Sequence, residues 1–153
     1  MSAYTVSRSA FIPAPPEQIF PHVNNFRRWA EWSPWEDMDP TMERVYSGPE
    51  EGQGAQYAWM GNRKVGSGRM EIVESVEPRS IRIRLEFLRP FKALNPTGFT
   101  FEPDSGGTRV TWSLAGDTKG AAKIFALFVN MDKMVGKDFE KGLARLSQVA
   151  ARK

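Results

Sequence analysis

From about Lys119 to Ala151 apolar residues return every three or four positions. Ile124, Phe128, Met131, Val135, Phe139, Leu143, Leu146 and Val149 trace a single stripe. No other feature constrains the fold as much. A helix of about 30 residues is roughly 45 Å long, and a stripe of that length leaves water only against an equally long apolar surface. The rest of the chain has to build that surface.

The segment from Met42 to Leu114 is patterned to do so. Its periodicity predicts strands at Met42–Ser47, Ala55–Met60, Val65–Val76, Ser80–Leu88, Thr97–Glu102 and Thr108–Leu114, separated by turn residues such as Gly48-Pro49, Gly61-Asn62, Glu77-Pro78 and Gly106-Gly107. In Ser80–Leu88 the side chains Ile81, Ile83, Leu85 and Phe87 alternate with Arg82, Arg84, Glu86 and Leu88. One face is therefore buried and the other wet, as in an antiparallel sheet covered on one side. Short connections make this a meander rather than a βαβ pattern, and no strand leads into a Gly-rich nucleotide loop.

Ahead of the meander, Tyr4–Ile12 reads as a further strand. Pro13-Ala14-Pro15-Pro16-Glu17 then stops it and starts a helix, where a proline's missing N–H has no partner to lose. Ile19, Phe20, Val23, Phe26 and Trp29 follow at helical spacing. Pro21 falls inside that run and predicts a kink or two short helices, ending at Ser33-Pro34.

The chain has 153 residues, 41% of them hydrophobic and 25% charged, a balance that suits one globular domain over 1–153 rather than a disordered chain. It has no cysteine, which excludes disulfides and thiol catalysis. The net charge of +3 is spread along the sequence. The one cationic row, Lys133, Lys137, Lys141 and Arg145, suits a solvated helix face, so no nucleic-acid partner is expected. The longest apolar run, Ile124 to Val129, is far short of the roughly 20 residues that cross a bilayer. With no basic-then-apolar leader pattern at Met1–Arg8, a cytoplasmic location without membrane insertion is the expectation.

The order strand, short helices, six-strand meander, long helix is an α+β helix-grip arrangement, a curved sheet of about seven strands around the last helix. Several local runs support it: Ile12-Pro13-Ala14-Pro15-Pro16-Glu17-Gln18-Ile19-Phe20, Trp29-Ala30-Glu31-Trp32-Ser33-Pro34-Trp35, Trp59-Met60-Gly61, Val65-Gly66-Ser67-Gly68-Arg69-Met70 and Phe87-Leu88-Arg89-Pro90-Phe91. In this order they resemble the START-related (SRPBCC) superfamily, in its polyketide cyclase/dehydrase and lipid-transport-like branch. The resemblance runs from about Tyr4 to Leu146. It implies a ligand-holding fold whose members include cyclases, lipid carriers and receptors.

A strongly curved sheet closed over one helix leaves a concave space, and ligand pockets are mostly apolar with few polar groups. From the strands, Tyr57, Trp59, Met70, Ile72, Ile83, Leu85, Phe87, Phe99, Phe101 and Trp112 are the expected lining. Trp32 and Trp35 come from the loop, and Phe128, Met131 and Val135 from the helix. Each could equally fill a solid core. Binding of a small apolar molecule such as a lipid, polyketide or aromatic metabolite is the reading they favour. The alternatives are a cyclase or dehydratase and a protein-interaction domain.

Polar chemistry is sparse. His22 is the only histidine and sits in a polar run that reads as a helix end. Glu36, Asp37 and Asp39 read as a solvated loop rather than a metal site, and no cofactor is expected. Tyr57 and Thr97 share parity with inward positions. So does Glu74, which reads more readily as the wet end of its strand. Phe125, Leu127 and Val129 lie off the main helical stripe and leave room for a gate or a homo-oligomer contact.

Overall fold

A computed structural model of the chain describes residues 2–37, 41–61, 66–89, 93–118 and 122–151, with side chains defined outside 2–4, 37, 93, 117–118 and 122–134. Strand β1 (Ser2–Ile12) leads into helix α1 (Pro16–Val23) and two 3-10 turns, Phe26–Glu31 and Pro34–Asp37. Strands β2 (Glu43–Ser47), β3 (Gln56–Met60), β4 (Ser67–Val76), β5 (Ser80–Arg89), β6 (Ala93–Asp104) and β7 (Gly107–Thr118) follow, and helix α2 (Ala122–Ala151) ends the description. The sheet has seven strands in the order β1-β7-β6-β5-β4-β3-β2, every pair antiparallel. This is the expected helix grip, with β1 carried across to close on β7.

Pro21 does shorten the first helix. Its ring removes the N–H that would have met the Glu17 carbonyl, and α1 stops at Val23, with the Asn24 N–H donating to the Phe20 carbonyl at 2.9 Å. Two carbonyls left over at that end are taken up by tryptophans. The Trp29 indole N–H donates to the Val23 carbonyl and that of Trp32 to the His22 carbonyl, each at 2.9 Å. An indole that is buried and still satisfied by its one donor suits this position. The first 3-10 turn starts from the Asn25 side chain, which accepts from the Arg27 N–H at 2.9 Å.

Several boundaries differ from the sequence expectation, and β7 runs on to Thr118 rather than stopping at Leu114. The first helical segment breaks by Ser33 as expected, but a second 3-10 turn begins at Pro34, because proline is as suited to the first position of that turn as to a helix start. Strand β6 runs from Ala93, four residues ahead of the expected Thr97, despite Pro96. The pairing with β7 starts only at Thr97 opposite Leu114, so Pro96 lies beyond that ladder. There the Asn95 side-chain amide donates to the Ala115 carbonyl at 3.0 Å, bridging to β7 where main-chain pairing has ended.

The concave face carries rows of side chains that the register lines up across strands. At one end Phe101, Phe99 and Trp112 meet Phe139 of α2 in a continuous stack. Ring centroids are 6.3 Å apart for Phe101–Phe99, 4.8 Å for Phe99–Trp112 and 4.1 Å for Trp112–Phe139. Trp29 and Trp32 pack edge-on against both Phe99 and Trp112. All these rings are essentially inaccessible to water. Gly142 lets α2 settle on them, since a Cβ there would stand 2.8 Å from the Trp112 ring and 3.2 Å from Pro34.

Candidate functional site

The sheet rows at the opposite end are built differently. One runs Tyr46–Tyr57–Met70–Leu85–Asn95 across β2 to β6, and the next runs Arg44–Trp59–Gly68–Phe87. Tyr57, Met70 and Leu85 are buried, whereas Trp59 and Phe87 are only half-buried. Gly68 makes room for the Trp59 indole; a Cβ at that position would lie 2.6 Å from the ring and 2.5 Å from the Glu86 carbonyl. The Trp59 ring therefore lies along the sheet and meets Phe87 edge-on, with centroids 5.8 Å apart.

A polar cluster sits against these rows. The Tyr57 hydroxyl donates to Glu36 Oε2 at 2.7 Å, and Arg44 Nε donates to Glu36 Oε1 at 2.7 Å. Arg44 Nη2 also donates to the Glu36 carbonyl at 3.0 Å, and Nη1 to the Met42 carbonyl at 3.3 Å. Glu36 is the only charged residue buried among those described. Its carboxylate would be costly to desolvate alone; the guanidinium and phenol offset that cost. Burial, and then the hydrogen bond to Glu36, push the Tyr57 hydroxyl above the ordinary tyrosine range, so it stays protonated. Burial likewise raises Tyr46, whose ring stacks on Tyr57 at 5.2 Å and carries the Arg27 guanidinium 4.5 Å above its centroid.

The neighbouring residue pulls the other way. Trp35 Nε1 donates to Asp138 Oδ2 of α2 at 2.9 Å, and its ring meets Trp112 and Phe139 edge-on. The second 3-10 turn thus ties α2 to the β2–β3 edge through two consecutive side chains.

The predicted lining residues fall into separate groups. Tyr57, Trp59, Met70, Leu85 and Phe87 adjoin one another on β3 to β5. Trp32, Phe99, Phe101 and Trp112 belong to the aromatic stack, with Trp35 at its margin, half-buried. Ile72 and Ile83 are register partners between the two groups, and Val135 is a half-buried member of the core. Phe128 and Met131 lie outside the residues whose side chains are described, as do Phe125, Leu127 and Val129.

Sequence reasoning misplaced Glu36. It is no part of a solvated loop, because the turn carrying it folds back onto β2 and β3. The available signal was Arg44, an arginine at the same parity as Met42 and Tyr46 between exposed Glu43 and Val45. An inward arginine requires a carboxylate. Glu74 lies at the wet end of its strand, as expected: the register shifts between Ile72 and Glu74, turning Glu74 outward to within 3.8 Å of Arg82. Thr97 is buried, as its parity implied, but its hydroxyl donates to the Ser113 carbonyl. His22 Nδ1 lies 3.4 Å from Glu31 Oε1, at the end of α1.

Among the described residues no three histidine or acidic side chains converge to hold a metal ion, and no helix is long and apolar enough to cross a membrane. On the opposite face of the sheet a groove of about 380 Å³ runs over Gln56, Arg69, Glu71, Arg84 and Glu86. Its charges include the Arg69–Glu86 pair at 2.8 Å, which makes it a polar surface unlike the concave one.

A family model described as polyketide cyclase / dehydrase and lipid transport matches residues 3–151. No curated protein matches the chain in sequence. Among solved structures, protein CV1439 from Chromobacterium violaceum is similar with a TM-score of 0.69 at 14% identity, covering 97% of this chain and 98% of that one. TTHA0849 from Thermus thermophilus gives 0.68 at 20% identity over 96% and 97% of the two chains. Ara h 8.0201 gives 0.63 at 16% identity over 97% and 98%. At these identities the likeness is one of fold.

Proposed function

The chain belongs to the polyketide cyclase/dehydrase and lipid transport family, and we propose that it binds a small, largely apolar molecule between the concave sheet and α2. The observation that carries this is the contrast between the two ends of that face. One end is filled by its own aromatic rings. The other presents the half-buried faces of Trp59 and Phe87 beside Met70 and Leu85. Apolar surface left partly open inside a curved sheet is the usual setting of a ligand pocket, and a methionine there adapts to varied shapes. We place Tyr57, Trp59, Met70, Leu85 and Phe87 at the ligand. Trp32, Phe99, Phe101 and Trp112 support the wall behind it.

The test is a fluorescence titration with the neutral probe 1-aminoanthracene. Saturable binding is expected, with quenching of tryptophan emission, and a Trp59→Ala, Phe87→Ala double variant is expected to weaken it about tenfold, a loss of about 1.4 kcal/mol. Absence of saturable binding together with an unchanged melting temperature across neutral aromatics and fatty acids would overturn the proposal.

A cyclase or dehydratase needs an inward acid or base. Glu74 is exposed and cannot serve. Tyr57 and Glu36 remain, but they are bonded to each other, the phenol held protonated by burial and by Glu36, and Glu36 is also held by Arg44. Binding requires no proton transfer and is the reading this geometry supports better.

A further inference from the structure

We infer that the ligand of this chain carries a hydroxyl group, a phenol or an alcohol, and that Glu36 and Tyr57 recognise it as hydrogen-bond acceptors. The inference rests on the binding function proposed above and specifies the chemistry at the polar end of that same site.

Burying Glu36 carries a cost. A buried carboxylate paired with arginine is often no more stable than apolar residues of the same volume. Stability alone therefore gives little reason to place a carboxylate under Tyr57 in an otherwise apolar row. Its hydrogen bonds are also directional. Oε1 accepts from Arg44 and Oε2 from Tyr57, one donor each, and a carboxylate oxygen has two lone pairs. The Tyr57 proton points at Glu36, so the phenol oxygen is left to act only as an acceptor towards anything else that reaches it. The Arg44 guanidinium is engaged by the Glu36 side chain, the Glu36 carbonyl and the Met42 carbonyl. Three of its five N–H groups are thereby turned to Glu36 and Met42.

The cluster thus offers acceptor lone pairs on Glu36 and on the Tyr57 oxygen. It lies in the Tyr46–Tyr57–Met70 row, one residue pair along from Trp59. The Tyr57 and Trp59 rings stack with centroids 6.2 Å apart, so a ligand lying against Trp59 extends towards the Tyr57 hydroxyl. A hydroxyl can donate there. A carboxylate has no proton to give these oxygens and is disfavoured beside Glu36, which separates this site from one made for free fatty acids.

Three probes with the same ring system decide it: 2-naphthol, its methyl ether 2-methoxynaphthalene, and 2-naphthoate, each titrated calorimetrically at about pH 7 into the wild-type chain, Glu36→Gln and Tyr57→Phe. The wild type is expected to prefer naphthol over the ether by about tenfold, the worth of one hydrogen bond to a charged acceptor, and to bind naphthoate weakest. Both variants are expected to narrow the preference for naphthol over the ether, Glu36→Gln to within about twofold. Circular dichroism verifies that they fold, and Tyr57→Phe, which keeps the ring, decides alone if Glu36→Gln does not. Equal binding of naphthol and ether by the wild type, tightest binding of naphthoate, or a preference that survives in the variants overturns the hydroxyl inference and leaves the binding function standing. Failure of all three probes to bind a wild-type chain that still binds 1-aminoanthracene overturns the hydroxyl inference alone, and failure of 1-aminoanthracene as well overturns both.

Discussion

At Tyr57 the sequence-to-function chain passes through one proton. Burial and Glu36 raise the hydroxyl above its ordinary value of 10.0. Below pH 10 the folded and unfolded chains both keep this proton; above it the unfolded phenol releases it while the folded one does not. The folded state then binds more protons, so its stability falls as pH rises, by up to about 1.4 kcal/mol per unit from this group. Thermal unfolding at pH 9 and pH 11 is expected to show a drop that Tyr57→Phe reduces; equal drops in both proteins would contradict it. Gly68 permits a second expectation at this scale. Gly68→Ala should displace the Trp59 indole, costing about 1–3 kcal/mol as overpacking does, with a shift in tryptophan emission. Neither residue's role was legible beforehand. Tyr57 could be placed inward by parity, but its partner comes from a turn 21 positions away, and no local pattern connects the two.

Among the elements, the second 3-10 turn links the helix to the β2–β3 edge of the sheet. Trp35→Phe keeps the ring against Trp112 and Phe139 but removes the donor to Asp138, with an expected loss of about 1 kcal/mol read from urea midpoints. Phe139→Ala removes a fully buried ring from the end of the aromatic stack and is expected to cost about 3–5 kcal/mol. The contrast between the two tests whether α2 is held by the stack or by the turn. The elements themselves were largely legible, since alternation in β5 and the stripe in α2 are local patterns of period two and 3.6. Where the expectation slipped, at Pro34 and at Pro96, the residue was tolerated for a nonlocal reason. Pro96 is harmless only because β7 has already parted from β6 at that point.

For the whole molecule, the legible part was the grip and the illegible part was its asymmetry. Parity assigns Phe99 and Phe87 to the same face and treats them alike. Packing separates them: Phe99 is enclosed by Trp29, Trp32 and Trp112, whereas Phe87 meets Trp59 at a half-open edge. That difference depends on which loops reach which end. It implies a spectroscopic division of labour among the five tryptophans. Trp29, Trp32 and Trp112 are sealed in the stack and Trp35 is half-buried at its margin, so ligand-induced quenching is expected to fall in Trp59→Phe while most of the emission persists.

The crossover of β1 also has a temporal side. Ser2 pairs with Thr118 and Ile12 with Thr108, so β1 and its partner are made about a hundred residues apart on the ribosome. At about 5–20 residues per second, β1 waits on the order of 5–20 s before β7 exists. Throughout that interval the meander is missing its outer strand, and Val6, Ala10 and Ile12 have nothing to cover. The same residues that complete the mature sheet make the nascent chain a client for whatever shields apolar segments during synthesis.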